Sequence, residues 1–308
     1  MAKVGDLGKK FRKEWSARSK PEAIIRAMIT IEPHIKKALR IIILAQCAGL
    51  LVNILFNNGF VLAYLSRLGI PSYRILFLLS LLPLSGLIFT LPFAYASDLF
   101  GKKRIGLCGL IISTLGLILL MAAGSCGIHS TKIATAGIVV ISLGTTAFAA
   151  SWFALLSPIV PSEIRGRFFG TLRISWQLVG IVFTLTVTTL LTVFTQLRFF
   201  QYVLLLVLVG ALLRIHLYRK LPELETESST SKSLLDSLIG ILQTPGYLPF
   251  CAYTFLLTLF TGAMPWVLAL LGKDVLFFSD SHILMMGNFR AGGAVAGASG
   301  YERIPAEP

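Results

Sequence analysis

An all-α, polytopic helical membrane protein is what this sequence predicts, on three observations. Hydrophobic residues make up 55% of 308 and charged residues only 14%. The apolar residues form long uncharged runs rather than an alternating pattern, most of them close to the roughly 20 residues that cross a bilayer as a helix. Polar turns bearing Lys and Arg lie between several of them. The pattern argues against a soluble domain. The net charge of +14 does not point to nucleic acid, because the bases sit beside membrane runs and no aromatic-rich RNA-binding signature accompanies them. Cys47, Cys108, Cys126 and Cys251 lack metal-like spacing, and three of them lie inside apolar runs, so they read as packing residues.

Residues 1–40 are a basic cytoplasmic arm, with Lys36, Lys37 and Arg40 at its membrane edge. No small-residue cleavage site follows the first apolar run, so the arm is expected to stay attached. Within it, Pro21-Glu22-Ala23 is a plausible helix start, and Ile24, Ile25 and Met28 could lay an amphipathic face on the bilayer, beside the plainer reading of a solvated tail drawn to anionic lipid.

Helix 1 is expected over about residues 41–65. Gln46, Asn53 and Asn57 fall on one of its faces at spacings of seven and four. Uncharged amides are costly against lipid, so this stripe either hydrogen-bonds to neighbouring helices or walls a polar pathway. Helix 2 follows at about 74–97, with Pro83 and Pro92 as potential kinks. Helix 3 carries Gly106, Gly109, Ser113 and Gly116 on one stripe, which allows close approach of a neighbouring backbone. Helix 4, about 133–155, bears Trp152 near its end, where an interfacial anchor is the expected role.

On helix 5, about 172–194, Arg173, Gln177, Gly180 and Thr184 share a face. Arg173 either snorkels towards the near interface or enters a cavity. Helix 6, about 199–217, ends among Arg214, His216, Arg219 and Lys220, and Leu221-Pro222 stops it. These six helices form one domain, 41–217. A Ser- and Thr-rich cytoplasmic linker, 218–246, joins it to 247–308, which holds helix 7 at about 247–271 and a glycine-rich run with Arg290 inside it.

Two turns carry chemistry. The first reads Asp98-Leu99-Phe100-Gly101-Lys102-Lys103-Arg104 between helices 2 and 3. A carboxylate at a helix C-terminus meets the negative end of the dipole and needs a cation or another helix's N-terminus to face it. The second turn, after helix 4, runs from Pro161 through Glu163, Arg165, Gly166 and Arg167 to Gly170. Bases crowd the side of these turns: the arm, Lys102 to Arg104, Arg165, Arg167, Arg173 and Arg214 through Lys232. Opposite stand only Arg67, Arg74, Lys132, Arg198 and Lys273. The positive-inside rule then puts the N-terminus and both turns in the cytoplasm.

The first turn resembles the loop signature of the major facilitator superfamily, a Gly-x-x-x-Asp-Arg-x-Gly-Arg-Arg pattern between helices two and three. Asp98, Gly101, Lys102 and Lys103 match it, while Ala94 replaces the usual glycine and Leu99 the usual base. The second turn resembles the superfamily's later Pro-x-x-x-Arg-Gly turn. The stretch Val182 to Leu191 has neither glycine nor proline, unlike the motif of the family's drug/proton antiporters.

The resemblance implies the first six-helix half of a major facilitator fold plus one or two further helices, in a multi-pass protein of the cell (inner) membrane. It implies alternating-access transport of a small-molecule polar solute. Asp98, Gly101, Lys102, Lys103, Glu163, Arg165 and Arg167 would form a cytoplasmic gate. Gln46, Asn53, Asn57, Arg173 and Gln177 would line the pathway. Family members have two such halves, so either a homo-oligomer or a missing second half would have to complete the transporter, and the chain alone could be inactive because truncated. No acidic residue lies well inside helices 1 to 6, so no proton-coupling carboxylate is visible. A non-transporting membrane scaffold or partner subunit is the alternative. No cofactor is implied, and an enzyme is disfavoured because the loops lack paired carboxylates, metal-spaced histidines and nucleophile motifs.

Overall fold

A computed structural model describes residues 33–162, 164–194, 196–223, 240, 243–262, 264–276 and 278–279. No strand occurs among them. Six helical segments are long and apolar enough to cross a membrane: Ile35–Asn57, Ser72–Phe100, Lys102–Ala123, Gly127–Leu156, Arg165–Val193 and Leu197–Arg219. The expected all-α polytopic fold is the one observed. We number the α-helices α1 (Pro33–Asn57), α2 (Phe60–Arg67), α3 (Ser72–Phe100), α4 (Lys102–Ala123), α5 (Ser130–Leu156), α6 (Arg165–Val193), α7 (Leu197–Arg219), α8 (Tyr247–Gly262) and α9 (Met264–Asp274). A 3-10 turn, Gly127–His129, leads into α5.

Several boundaries differ from the sequence reading. The first helix begins at Pro33 and takes in Lys36, Lys37 and Arg40, because those side chains reach off an exposed face while Ala38 and Ile42 are buried. It ends at Asn57 rather than running to 65, because Gly59 at φ 80 turns the chain into the short helix α2. The helix α6 starts at Arg165, since nothing in Arg-Gly-Arg-Phe-Phe-Gly after the Pro161 turn stops a helix. Expected helix 7 is found as α8 and α9 on either side of residue 263. Pro83 and Pro92 both lie within α3. Residues 1–32, Glu163, the linker over 224–239 and the glycine-rich run after His282 fall outside the described residues.

Short connections alternate the spans, so the starts of α1, α4 and α6 and the ends of α3, α5 and α7 share one end of the bundle. One core cluster gathers at that end: Ala38 and Ile42 of α1, Leu110 of α4, Phe148, Trp152 and Leu155 of α5, Phe168 of α6, and Tyr218 of α7. The larger cluster fills the other end, where Phe60 and Tyr64 of α2 pack on Phe200 of α7 with ring centroids 5.1 and 6.0 Å apart. Tyr64 buries its hydroxyl by donating to the Leu120 carbonyl at 3.0 Å.

The closest pairing is between α4 and α5, and the small-residue stripe predicted on the former explains it. Gly109 faces Gly144, and Gly116 faces Gly137, backbone against backbone. A β-carbon at Gly116 would stand 2.6 Å from the Ile141 nitrogen and 2.7 Å from the Gly137 oxygen, closer than real contacts allow. The helix α3 packs on the other side of α5, where the Ser85 hydroxyl lies 2.6 Å from that of Thr146 and donates to the Ser142 carbonyl at 2.9 Å. In turn α1 packs on α7 and on α6, and just past its end Asn58 Nδ2 donates to Thr184 Oγ1 of α6 at 2.8 Å. Large apolar side chains such as Leu87, Val182 and Tyr202 remain exposed. In a bilayer, lipid is the solvent for such residues.

Candidate functional site

The helices leave a cavity of about 560 Å³ between them, within the size range of small-molecule sites. All six spans contribute to its wall: Gln46 and Asn53 from α1, Gly86 and Thr90 from α3, Ser113 and Thr114 from α4, Thr145 and Thr146 from α5, Arg173 and Trp176 from α6, and Arg214 from α7. Phe148, Trp152, Phe153 and Phe169 add aromatic surface.

Of the five residues expected on the pathway, Gln46, Asn53 and Arg173 line this cavity. Asn57 and Gln177 do not. Asn57 sits at the last turn of its helix and donates to the Asn53 carbonyl at 3.0 Å. On α6 the lining face passes through Arg173 and Trp176, three residues apart, whereas Gly180 and Thr184 pack against α1. Gln177 lies off the lining face.

Sequence reasoning missed Arg214. Beside His216, Arg219 and Lys220 it reads as one more terminal base, yet its side chain is buried at 9% exposure. The Nη2 group donates to Gln46 Oε1 at 2.9 Å, and the guanidinium carbon lies 4.0 Å from the centroid of the Phe148 ring. Gly49 makes the room, because a β-carbon there would overlap the guanidinium. Trp152 also departs from expectation. It is buried between Phe148 and Tyr218, with centroids 5.3 and 6.3 Å away, rather than lying as an interfacial anchor. The three rings form an aromatic layer between Arg214 and the end of α7.

At that end lie the two turns. Gly101, at φ 99, both ends α3 and precedes α4, a backbone conformation that side chains with a β-carbon resist. Asp98 is exposed one turn before it. The carboxylate that meets the N-terminus of α4 comes from elsewhere: the Lys103 backbone N–H donates to Glu223 Oε1 at 3.1 Å, and Lys103 Nζ donates to the Leu221 carbonyl at 2.6 Å. An acid at a helix N-terminus satisfies a free N–H and faces the positive end of the dipole. The segment after α7 is thereby fastened to the first turn, a contact no local pattern in the sequence announced.

In the second turn Arg165 donates from Nη2 to the Ser157 and Val160 carbonyls, at 3.2 and 3.3 Å, just past the end of α5. A cation there complements the negative end of that helix. Arg167 is exposed, Lys102 partly so, and Glu163 lies outside the described residues.

Removing the Glu223 cap by Glu223→Ala is expected to cost about 1 kcal/mol locally. Hydrogen exchange at the Lys102–Arg104 amides should then quicken about fivefold. Unchanged exchange there would show that the contact does not hold the turn.

A family model of the Major Facilitator Superfamily matches residues 42–301, and the chain belongs to that superfamily. It is accordingly a multi-pass membrane protein of the transporter class, whose members bind small-molecule solutes within the membrane and are not enzymes. No curated protein matches the chain.

Proposed function

We propose that this chain moves a small polar solute across the bilayer by alternating access. The observation that carries the reading is the cavity walled by all six spans, which presents Gln46, Asn53, Arg173 and Arg214 in surroundings otherwise apolar or hydroxylic. Polar groups are expensive to hold inside a bilayer and are kept where they meet water, protein or a substrate. In this reading Gln46, Asn53 and Arg173, with Asn57 and Gln177 at the margin, belong to the pathway. Asp98, Gly101, Lys102, Lys103, Glu163, Arg165 and Arg167 belong to a gate at the basic end. The distribution of bases favours a cytoplasmic N-terminus. This reading further takes the chain to lie in the cell (inner) membrane, with residues 41–217 as one half, 218–246 as the linker and 247–308 as the start of the second half.

Accessibility tests alternation directly. In a cysteine-free background, Ala149→Cys puts a single thiol on the cavity wall. Alternating access predicts that a membrane-impermeant thiol reagent labels it from either side of a sealed vesicle in separate experiments. Labelling from one side only would count against the mechanism.

A further inference from the structure

The cationic and indole groups in the wall of this cavity are donors with little to answer them, while Asn53 beside them offers a carboxamide that can donate or accept. Arg214 lies five residues short of the end of α7, roughly 7 Å inside the span. A buried charge needs a compensating partner. Yet the partners described for it are neutral, the amide oxygen of Gln46 and the ring face of Phe148. Arg173 lines the same cavity without a hydrogen bond or ion pair to any described residue. Trp176 lines it too, and its buried indole N–H has no hydrogen-bond partner among the described residues.

Apart from Gln46 Oε1, no described group of the wall accepts from these donors, and no described wall group carries a negative charge. From residue 35 to residue 219 the only acids are Asp98 and Glu163. Asp98 is exposed near the end of α3, and Glu163 falls in the connection between α5 and α6, so neither is within a span's interior. The hydroxyls of Thr90, Ser113, Thr114, Thr145 and Thr146 each donate to a carbonyl of their own helix, and among the described contacts none accepts from Arg173, Arg214 or Trp176. A cation entering this cavity would be repelled by two guanidiniums. A neutral solute would leave Arg214 uncompensated. An oxyanion supplies the compensating acceptor that Arg214 lacks, and Arg is the side chain suited to bind one through a planar pair of N–H groups.

We infer that the cavity takes a small organic anion, with its carboxylate-type head at Arg214 and its apolar body against the aromatic wall of Phe148, Trp152 and Trp176. The inference rests on the pathway reading above and narrows its solute to one charge class. Gly49 becomes part of the recognition, because a β-carbon there would overlap the guanidinium from the α1 side.

Binding can be read on the purified full chain in detergent, with no gradient, through a change in its tryptophan fluorescence, to which Trp152 and Trp176 of the cavity contribute. The probes are benzoate, its uncharged amide benzamide, and benzylammonium. Benzoate is expected to give a saturable response at least about tenfold tighter than either relative. Arg214→Gln should weaken benzoate by about tenfold or more and leave benzamide within about twofold. Gly49→Ala keeps the charge but crowds the guanidinium, and should weaken benzoate in the same direction; it carries the test where Arg214→Gln is not recovered folded. Absence of a saturable benzoate response, benzamide or benzylammonium binding as tightly as benzoate, or a folded variant of either kind with unchanged benzoate affinity would overturn the inference. Because this binding needs no transport, a failure of uptake in vesicles bears on the transport reading alone.

Discussion

Gly144→Leu is expected to prevent the six-span bundle from assembling. A β-carbon at Gly144 stands 2.6 Å from the Gly109 oxygen and 2.8 Å from the Ser113 α-carbon, both backbone atoms of α4. Backbone cannot rotate away as a side chain can, so α5 would have to move off its closest partner. It would take with it Thr145, Thr146 and Phe148, which line the cavity. Gly144→Ala should cost about 1–3 kcal/mol by overpacking, and the leucine should leave no cooperative thermal transition in detergent. Gly170→Ala is the matched control, since a β-carbon there meets nothing within 4 Å. Its transition should stay where it is or rise slightly, as alanine is the better helix former. A cooperative transition of wild-type midpoint in Gly144→Leu would show that the α4–α5 contact is not what holds the bundle.

Asp98→Asn is expected to lower solute uptake more than tenfold while leaving stability almost untouched. The carboxylate is exposed at the negative end of α3 and none of the described contacts holds it, so in this conformation it adds nothing to stability. A group that is unfavourable where it stands has its use in another state. In the gate proposed here, that state is the one with the basic end shut. The midpoint of unfolding should therefore shift by less than about 2 °C, while uptake falls by about an order of magnitude or more. Equal loss of both would make Asp98 a structural residue, and loss of neither would remove it from the gate.

Much of the bundle was legible because the hydropathy of a span is local and needs no knowledge of its neighbours. Boundaries were less so. The charges of Lys36, Lys37 and Arg40 hid the first turns of α1, although a helix carries such residues easily on an exposed face. The stripe on α4 could be read because a helix contact made by small residues writes itself at regular spacing. The cavity was read only in part. Gln46, Asn53 and Arg173 were found as polar residues in apolar runs, but the same rule admitted Asn57 and Gln177, which share a stripe without sharing the lining face.

Arg214 was missed for the opposite reason. Bases just after it made it look terminal, and its burial depends on Gly49 and Gln46, well over a hundred residues earlier. The Glu223 contact with Lys103 is equally long-range. Pairings of that kind arise only when the helices are assembled.

Uptake by proteoliposomes containing the full chain tests the transport reading most directly. A panel of small solutes matched in shape, each as anion, amide and amine, should show time-dependent accumulation for at least one anion, competed by its unlabelled form and lost in Asp98→Asn. Folded protein that accumulates no member of the panel, or that accumulates one equally well with Asp98→Asn, would contradict the account.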